Sequence, residues 1–422
     1  MGVPSTEVAE DNHVLKGLLK QIRDAWHRSN AKVYQMTLPD TSIHTEASLA
    51  TRESVTLYFQ RLGGLGGGAE RMLCALANAL LARGYQVSIV TWDPQDAKSF
   101  YFLDSAVQWH RLGISRGVKD KLRRAMAMRN VLKLHGSRCL IGFVMSGDMT
   151  VYSAALLSRT PIVAAERNGP SMYRHYYSPA RRRLNFCLLK LAHRLTVQLP
   201  GFVAGYPKRL RSQITVIPNP VWLPETVVDP GKAAPSGRFR LLFAGRLDPI
   251  QKRPLLLARA FSRIARDFTN WELVFVGDGP EKLSIEILAK EEGLLDRMIV
   301  RPTTSRIERE FLAAHLFVMP SLWEGFPNAL AEAMAQGLPA IGYKDADGVS
   351  ELISDTSGWL AADEGDPVQA LSLVLCEAMG DASMRVRRGK AAREAMRAFE
   401  PETIFDRWSD MIDALSKKQG RS

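Results

Sequence analysis

Val55-Thr56-Leu57-Tyr58-Phe59 is followed by Gly63-Gly64-Leu65-Gly66-Gly67-Gly68-Ala69-Glu70-Arg71, then by an apolar-periodic run that ends at Arg83-Gly84, then by Val87 to Thr91. The first run is β-branched and aromatic, which suits a strand. The spacing after the glycines predicts a helix from about Ala69 to Arg83, which Gly84 ends. Val87 to Thr91 is the next strand. Strand, helix and strand joined this closely require a parallel pair, and so an α/β sheet of the doubly wound kind. In such sheets ligands gather at the carboxyl ends of the strands, where this glycine loop lies. Gly64, Gly66 and Ala69 also fit the looser dinucleotide fingerprint, with Asp93 about 20 residues further on, so a nicotinamide-dependent oxidoreductase stands as an alternative.

The alternation continues outward from that unit. Lys119 to Leu134 and Arg181 to Arg194 read as basic helices, carrying Leu122, Met126, Met128, Val131 and Leu132 in one and Leu184, Phe186, Leu188, Leu189 and Leu191 in the other. Cys139 to Val144, Ile162 to Ala165, Thr196 to Leu199 and Ile214 to Ile217 read as strands. Glu166-Arg167-Asn168-Gly169-Pro170 follows one of them as a polar loop over a cleft. Pro218-Asn219-Pro220 through Pro235-Ser236-Gly237 is rich in turn formers, and the interdomain linker is placed there. Strands then restart at Arg240 to Ala244, Glu272 to Val276, Met298 to Val300, Leu316 to Met319 and Ala340 to Tyr343, with helices between them. The fold class is α/β, with two Rossmann-like doubly wound parallel sheets facing a central cleft.

The chemistry concentrates in Ser321-Leu322-Trp323-Glu324-Gly325-Phe326-Pro327-Asn328-Ala329-Leu330-Ala331-Glu332-Ala333-Met334. Pro327 opens an Ala/Leu/Met-rich helix, since its missing N–H is unpaired at the first helical position anyway. The helix start offers backbone N–H groups and a positive dipole end to a phosphate. Gly325 lets a ligand come close to the backbone. Glu324 and Glu332 flank that anion site as hydroxyl acceptors. Hydroxyls on either side of a phosphate outline a nucleotide sugar.

The charge is uneven. Residues 53–222 hold 24 basic and 8 acidic side chains, a net of +16, whereas residues 223–422 hold 26 basic and 30 acidic, a net of −4. A basic half calls for an anionic partner: nucleic acid, anionic lipid or a phosphorylated substrate. No aromatic–basic interleaving and no nucleic-acid motif accompany the charge, which argues against a nucleic-acid-binding protein. An apolar content of 46% with 24% charged residues is that of a globular protein. The four cysteines lack metal-ligand spacing and read as cytosolic thiols. No run approaches the ~18 apolar residues of a membrane span. Met1 to Asn12 is polar and partly acidic, so no secretory leader is expected there. In the extension 1–52, Val14, Leu15, Leu18, Leu19, Ile22 and Trp26 recur at helical spacing. An interfacial helix, a flexible arm and a start at Met36 all remain open for it, and Pro39 to Arg52 reads as disordered.

Together these pieces resemble the GT-B glycosyltransferases, specifically glycosyltransferase family 4, over about residues 54–415. The carrying residues are Gly67-Gly68-Ala69-Glu70-Arg71, Val216-Ile217-Pro218-Asn219-Pro220-Val221, Gly245-Arg246-Leu247 with Lys252, Val276-Gly277-Asp278-Gly279-Pro280, and Glu324 through Glu332. The resemblance implies an acceptor-binding domain over 53–222, a linker over 223–237, a nucleotide-sugar domain over 238–400, and a C-terminal helix over 401–422 that packs back toward the first domain. It implies that Arg246 and Lys252 hold the diphosphate, that Gly325, Phe326 and Asn328 meet the phosphate or sugar, that Glu324 accepts from the donor sugar and Glu332 from the ribose, and that Gly67 and Gly68 let the first domain approach the phosphate and acceptor. It further implies a retaining reaction with no cofactor and no metal. The donor is a nucleotide sugar, UDP ahead of GDP, and the acceptor is lipid-linked or a polysaccharide precursor, in cell-surface glycan biosynthesis. The basic domain then rests on the anionic inner face of the plasma membrane.

Two features depart from the family pattern. The family commonly spaces its arginine and lysine five apart. Here Arg246 and Lys252 are six apart, which leaves Lys252 and Arg253 both open as the second phosphate ligand. Many members carry a histidine near the sugar, whereas Glu166-Arg167-Asn168 occupies the corresponding loop here. Glu166 is the acid/base candidate, with His175 and His193 as substitutes.

Overall fold

The computed structural model describes residues 52–419 except Leu65, Arg116, Ser146 and Asp363. The helix expected over Val14 to Trp26 and the polar tract after Pro39 lie outside the described residues, save Arg52. The chain forms two compact units that divide between Arg138 and Cys139.

The first unit carries β1 (Arg52–Tyr58), β2 (Tyr85–Thr91) and β3 (Gln108–Arg111), paired in parallel. Between β1 and β2 runs the helix Gly68–Ala82, whose Met72, Leu73, Leu76, Ala77 and Leu80 are buried as its spacing requires. Gly84 follows it at φ +85°, the left-handed turn that stops the helix. The glycine loop is held by Asp93 at the end of β2: Leu62 and Gly63 donate their amides to Asp93 Oδ2 at 2.6 and 3.3 Å. Asp93 is 1% exposed and engaged by its own loop, so it is not presented to a ribose. The dinucleotide reading loses its acidic residue there.

The helix Lys121–Leu134 buries Ala125, Met128, Val131 and Leu132 and leaves Leu122 and Met126 exposed. Arg124, one of the basic residues of the stretch Lys119 to Leu134 read as a basic helix, is an exception. It lies inward, donates from Nη1 to Ser115 O at 3.1 Å and stands 5.7 Å from the Trp92 ring, so it does not belong to the basic outer face.

The second unit carries β4 (Cys139–Phe143), β5 (Ile162–Ala165), β6 (Arg194–Val197) and β7 (Ile214–Val216), then β8 (Phe239–Ala244), β9 (Trp271–Val276), β10 (Met298–Arg301), β11 (Leu316–Val318), β12 (Ala340–Tyr343) and β13 (Gly358–Ala361). Two parallel sheets result. One has seven strands in the order β3-β2-β1-β4-β5-β6-β7, and the other has six in the order β10-β9-β8-β11-β12-β13. The sequence expectation of two doubly wound sheets holds. Strands buried on both faces read as apolar runs, and β9 and β11 are examples.

The segment after β7 is pinned along its length rather than loose. Arg385, 1% exposed, donates from Nε to Pro230 O at 2.9 Å while its guanidinium lies over Phe239 and Trp271. Arg393 Nη2 holds Pro224 O at 2.8 Å, and Gln336 Nε2 holds Thr226 O at 2.6 Å. In the C-terminal helix Pro401–Gln419, Trp408 is fully buried and stacks on Phe143 of β4 at 6.3 Å. Among the described residues no helix is long and apolar enough to cross a membrane.

His315 ties the segment after β7 to the six-stranded sheet. Its Nδ1 accepts from the Arg240 amide at 2.9 Å, and its Nε2 lies 2.9 Å from Lys232 O. Burial lowers its pKa below 6.5, because the charged imidazolium would lose its hydration there, and the Arg385 and Arg240 charges act in the same direction. A depressed histidine binds its proton more readily when unfolded. Its stabilisation is therefore full above pH 6.5 and is lost as pH falls from there toward the folded pKa. The expected result is a Tm that drops on acidification below pH 6.5, with a shallower drop in His315→Gln, read by thermal denaturation across that window. An unchanged slope in the variant would reject the assignment. His110 and His135 titrate in the same direction and keep the residual slope above zero.

Candidate functional site

The order of the six-stranded sheet reverses at β8 and β11, which are neighbours, so their carboxyl-end loops diverge and open a crevice between them. Those loops are 245–253 and 319–327. They contain Arg246, Lys252, Glu324 and Gly325, so the sheet topology brings together residues that the sequence picks out separately.

Lys252 Nζ lies 2.5 Å from Glu324 Oε1, with side chains only 15% and 9% exposed. A pair this sheltered is held by geometry and by its neighbours, since desolvation offsets much of the attraction. The neighbours are identifiable. Gln251 braces the two loops: its carbonyl accepts from Leu322 N at 2.8 Å, its Nε2 donates to Trp323 O at 3.0 Å, and its Oε1 accepts from Arg246 Nη2 at 3.0 Å. The Arg246 side chain is otherwise 67% exposed, and Asp248 is 3.8 Å away. Of the two candidates for the second cation, Lys252 is the one at Glu324. Arg253 donates from Nε to Pro320 O at 2.8 Å and lies 4.6 Å over the Tyr343 ring.

The helix that follows spans Asn328–Ala335, one residue later than the sequence reading, with Pro327 at its N-cap and no side chain capping it. Its uncapped first turn keeps the anion-binding character expected of a helix start. Phe326 turns inward, 5.3 Å from Phe399 and 5% exposed, so only its backbone is presented. Glu332 is half-buried, one turn beyond Asn328 on the same face. Asn328 Oδ1 accepts from Asn219 Nδ2 at 2.9 Å, which gives Asn219 of the Pro218-Asn219-Pro220 motif a partner in this site.

The loop after β5 forms the facing wall. A side chain at Gly325 would place its Cβ 2.2 Å from Arg167 O and 2.6 Å from Gln198 Oε1. What comes close to Gly325 here is the chain itself, a different reason for a glycine than the ligand approach read from the sequence. Ser171 N donates to Asp347 Oδ2 at 3.1 Å, and Asp347 O accepts from Glu324 N at 2.8 Å, so Asp347 bridges the two walls. Arg167 is buried and donates to Asn219 Oδ1 and Thr196 Oγ1 at 3.2 and 3.1 Å; burial pulls its pKa down to about 9 against the opposing pull of Glu166.

Glu166 does not occupy the place expected of an acid/base group. Its carboxylate is 5% exposed and accepts from the Tyr173 hydroxyl at 2.5 Å and the Tyr206 hydroxyl at 3.4 Å. Burial and the Glu166 charge push the Tyr206 pKa far up, so that phenol stays protonated and keeps donating. The role visible for Glu166 is to anchor Tyr173. Of the two histidines, His193 accepts from Ile162 N at 3.3 Å, between strands. His175 stacks on Trp323 at 4.3 Å with an interplanar angle of 8°, one residue from Glu324. In the first unit, Gly67 is the N-cap and Gly68 the first residue of the helix Gly68–Ala82.

The family model for group 1 glycosyl transferases matches residues 228–395, and that for the glycosyl transferase 4-like domain matches residues 67–220. The chain belongs to glycosyltransferase family 4. This family 4 chain is 24% identical over 358 residues to an uncharacterized glycosyltransferase of Haemophilus influenzae, covering 83% of the chain and 97% of that protein. It is 28% identical over 162 residues to the exopolysaccharide phosphotransferase SCO2592 of Streptomyces coelicolor, which is 38% of the chain but only 17% of the length of that relative. Among solved structures it resembles Anabaena Alr3699/HepE in complex with UDP and glucose, with a TM-score of 0.68 and 17% identity, covering 86% of the chain and all of that one. The two-sheet architecture of the family 4 chain is thus the GT-B fold.

Proposed function

We propose that the chain is a retaining, metal-independent glycosyltransferase that moves a sugar from a nucleotide sugar, UDP-linked ahead of GDP-linked, to a lipid-linked or polysaccharide-precursor acceptor in cell-surface glycan biosynthesis. The observation that carries this is the Lys252–Glu324 pair at the β8/β11 crevice beside the largely exposed guanidinium of Arg246. The acceptor and donor domains are taken as 53–222 and 238–400. The UDP preference is supported by the UDP and glucose bound in the Anabaena structure, and the glycan class by the exopolysaccharide name of the Streptomyces relative.

In this reading Arg246 grips the diphosphate as a fork and Lys252 as a point charge. The start of the helix Asn328–Ala335 adds its dipole. Together they stabilise the departing diphosphate, the role a divalent cation otherwise fills. The bond from the sugar's anomeric carbon to phosphate oxygen breaks while the bond to the acceptor oxygen forms on the same face. The acceptor's proton passes to the leaving phosphate. No protein nucleophile is needed, and Glu324, engaged by Lys252, accepts from donor sugar hydroxyls. Glu332 accepts from the ribose, and the backbone of Gly325 and Phe326 together with Asn328 lines the donor.

A panel of UDP- and GDP-sugars read by nucleotide release tests the reading. UDP at about 100 Kd should stabilise by ~2.7 kcal/mol, and turnover should persist in excess EDTA. Stabilisation by NADH but not by UDP or GDP would overturn it.

Peripheral attachment to an anionic membrane is part of the same proposal. It is supported by Val118 and Leu122, each more than 70% exposed beside Lys119, Lys121 and Arg123, by Leu134, equally exposed beside Lys133, and by Leu184, 51% exposed, beside Arg182 and Arg183. Glutamate at Arg123, Arg182 and Arg183 should release the protein from phosphatidylglycerol vesicles, at about 1 kcal/mol per charge removed. Unchanged sedimentation with vesicles would reject the attachment.

A further inference from the structure

The segment 171–177 is not used by the donor chemistry, yet it is firmly built. Tyr173 is 1% exposed, donates to the buried Glu166 carboxylate, and packs against Phe186 at 4.9 Å and Tyr206 at 6.3 Å. Asp347 holds the start of the segment through Ser171 N. A helix of only five residues, Met172–Tyr176, is thereby anchored at its N-terminal end by two side chains, Asp347 and Tyr173. What it presents is aromatic. His175 lies flat on Trp323, and Tyr176 meets the edge of the same ring at 5.6 Å and 81°. Trp323 is covered, whereas His175 is exposed and Tyr176 is 53% exposed. The result is an aromatic ledge, outward-facing and rigidly backed, one residue from Glu324. It comes from the wall opposite the donor loops.

We propose that His175 and Tyr176 form the acceptor subsite, and that its ligand is a pyranose ring, so that the acceptor is already glycosylated and is not a bare lipid phosphate. The inference rests on the glycosyltransferase reading above. Aromatic faces offer broad, rigid contact at small entropic cost and match the C–H face of a sugar, with a hydroxyl or ring nitrogen at the rim for its polar edge. A phosphate would call instead for converging guanidinium or amide donors. The two rings packed on the Trp323 ring, His175 and Tyr176, do not make such a set of donors. Glu166 is a positioning residue in this arrangement, acting through Tyr173.

The test uses the full chain with its best nucleotide sugar and four acceptor probes: octyl glucoside, octyl galactoside, octyl mannoside and farnesyl phosphate. Transfer to at least one octyl glycoside and none to farnesyl phosphate is expected. Tyr176→Ala should raise the KM for that glycoside at least tenfold while moving the KM for the nucleotide sugar less than twofold, and Tyr176→Phe should restore the acceptor KM. Transfer to farnesyl phosphate alone, no transfer to any glycoside, or an acceptor KM indifferent to Tyr176→Ala overturns the subsite while donor turnover leaves the transferase reading standing. No nucleotide release from any sugar nucleotide in the wild type removes both.

Discussion

Lys252→Met is expected to cut kcat/KM by about 10²- to 10³-fold, the scale on which one preorganised charge-stabilising group acts on a developing anion. It should also lower stability by ~3 kcal/mol, because Glu324 is then left sheltered with its countercharge gone. Glu324→Leu should show the same two losses with the signs of charge exchanged. The informative variant is the double one. With Lys252→Met and Glu324→Leu combined, no uncompensated charge remains, so the Tm should return most of the way to wild type. Activity should not return, because neither the diphosphate contact nor the sugar contact has been restored. Recovery of stability without activity separates a functional pair from a structural one. Full transfer in either single variant would sink the assignment of both residues. Activity that recovers along with stability in the double variant would show the pair to be structural only.

The parts of this site that the sequence discloses are those coded by neighbouring residues. Arg246 and Lys252, or Glu324, Gly325 and Glu332, lie within one loop or one helix start, where spacing and turn chemistry determine geometry. Gln251 and Asp347 were not legible as site residues, and the partners of Asn219 and His175 were not legible either, because these roles depend on pairings more than 70 residues apart in the chain. Glu166 is the instructive case. A polar group at the end of a buried strand points to a cleft by default, and nothing local reveals that Tyr173 and Tyr206 enclose it. The fold was legible wherever strands are apolar and bounded by glycine, as at β1, β8 and β9. It was not at β3, whose Gln108, Trp109, His110 and Arg111 are all at least partly exposed, nor at the four-residue β13. The helix Met149–Ser158 also escaped notice, since it is apolar nearly all round, with Leu156 and Leu157 exposed. Periodicity detects a half-buried element, and an exposed edge or an all-apolar helix gives it no contrast.

Gly325→Ala is expected to reduce transfer about 100-fold with little loss of donor-independent stability, because the penalty falls on alignment. Its new Cβ would sit 2.2 Å from Arg167 O, a backbone atom that cannot rotate aside, so one wall must move. The wall that moves carries Glu324, and a displacement of about 1 Å at a reacting centre is enough for a 10²-fold loss. The same contact has a second glycine on its far side. A Cβ at Gly169 would stand 2.4 Å from Glu324 O. Gly169→Ala should therefore produce a loss of similar size, even though it lies 156 positions away in sequence. Since each substitution parts the same two walls, the second should cost little once the first has opened them, and the double variant should fall well short of the product of the single losses. Steady-state kcat/KM on the best donor, for the two single variants and the double, measures this directly. Independent, multiplicative losses would mean that the two glycines serve separate functions and that the 166–171 loop does not set the position of Glu324.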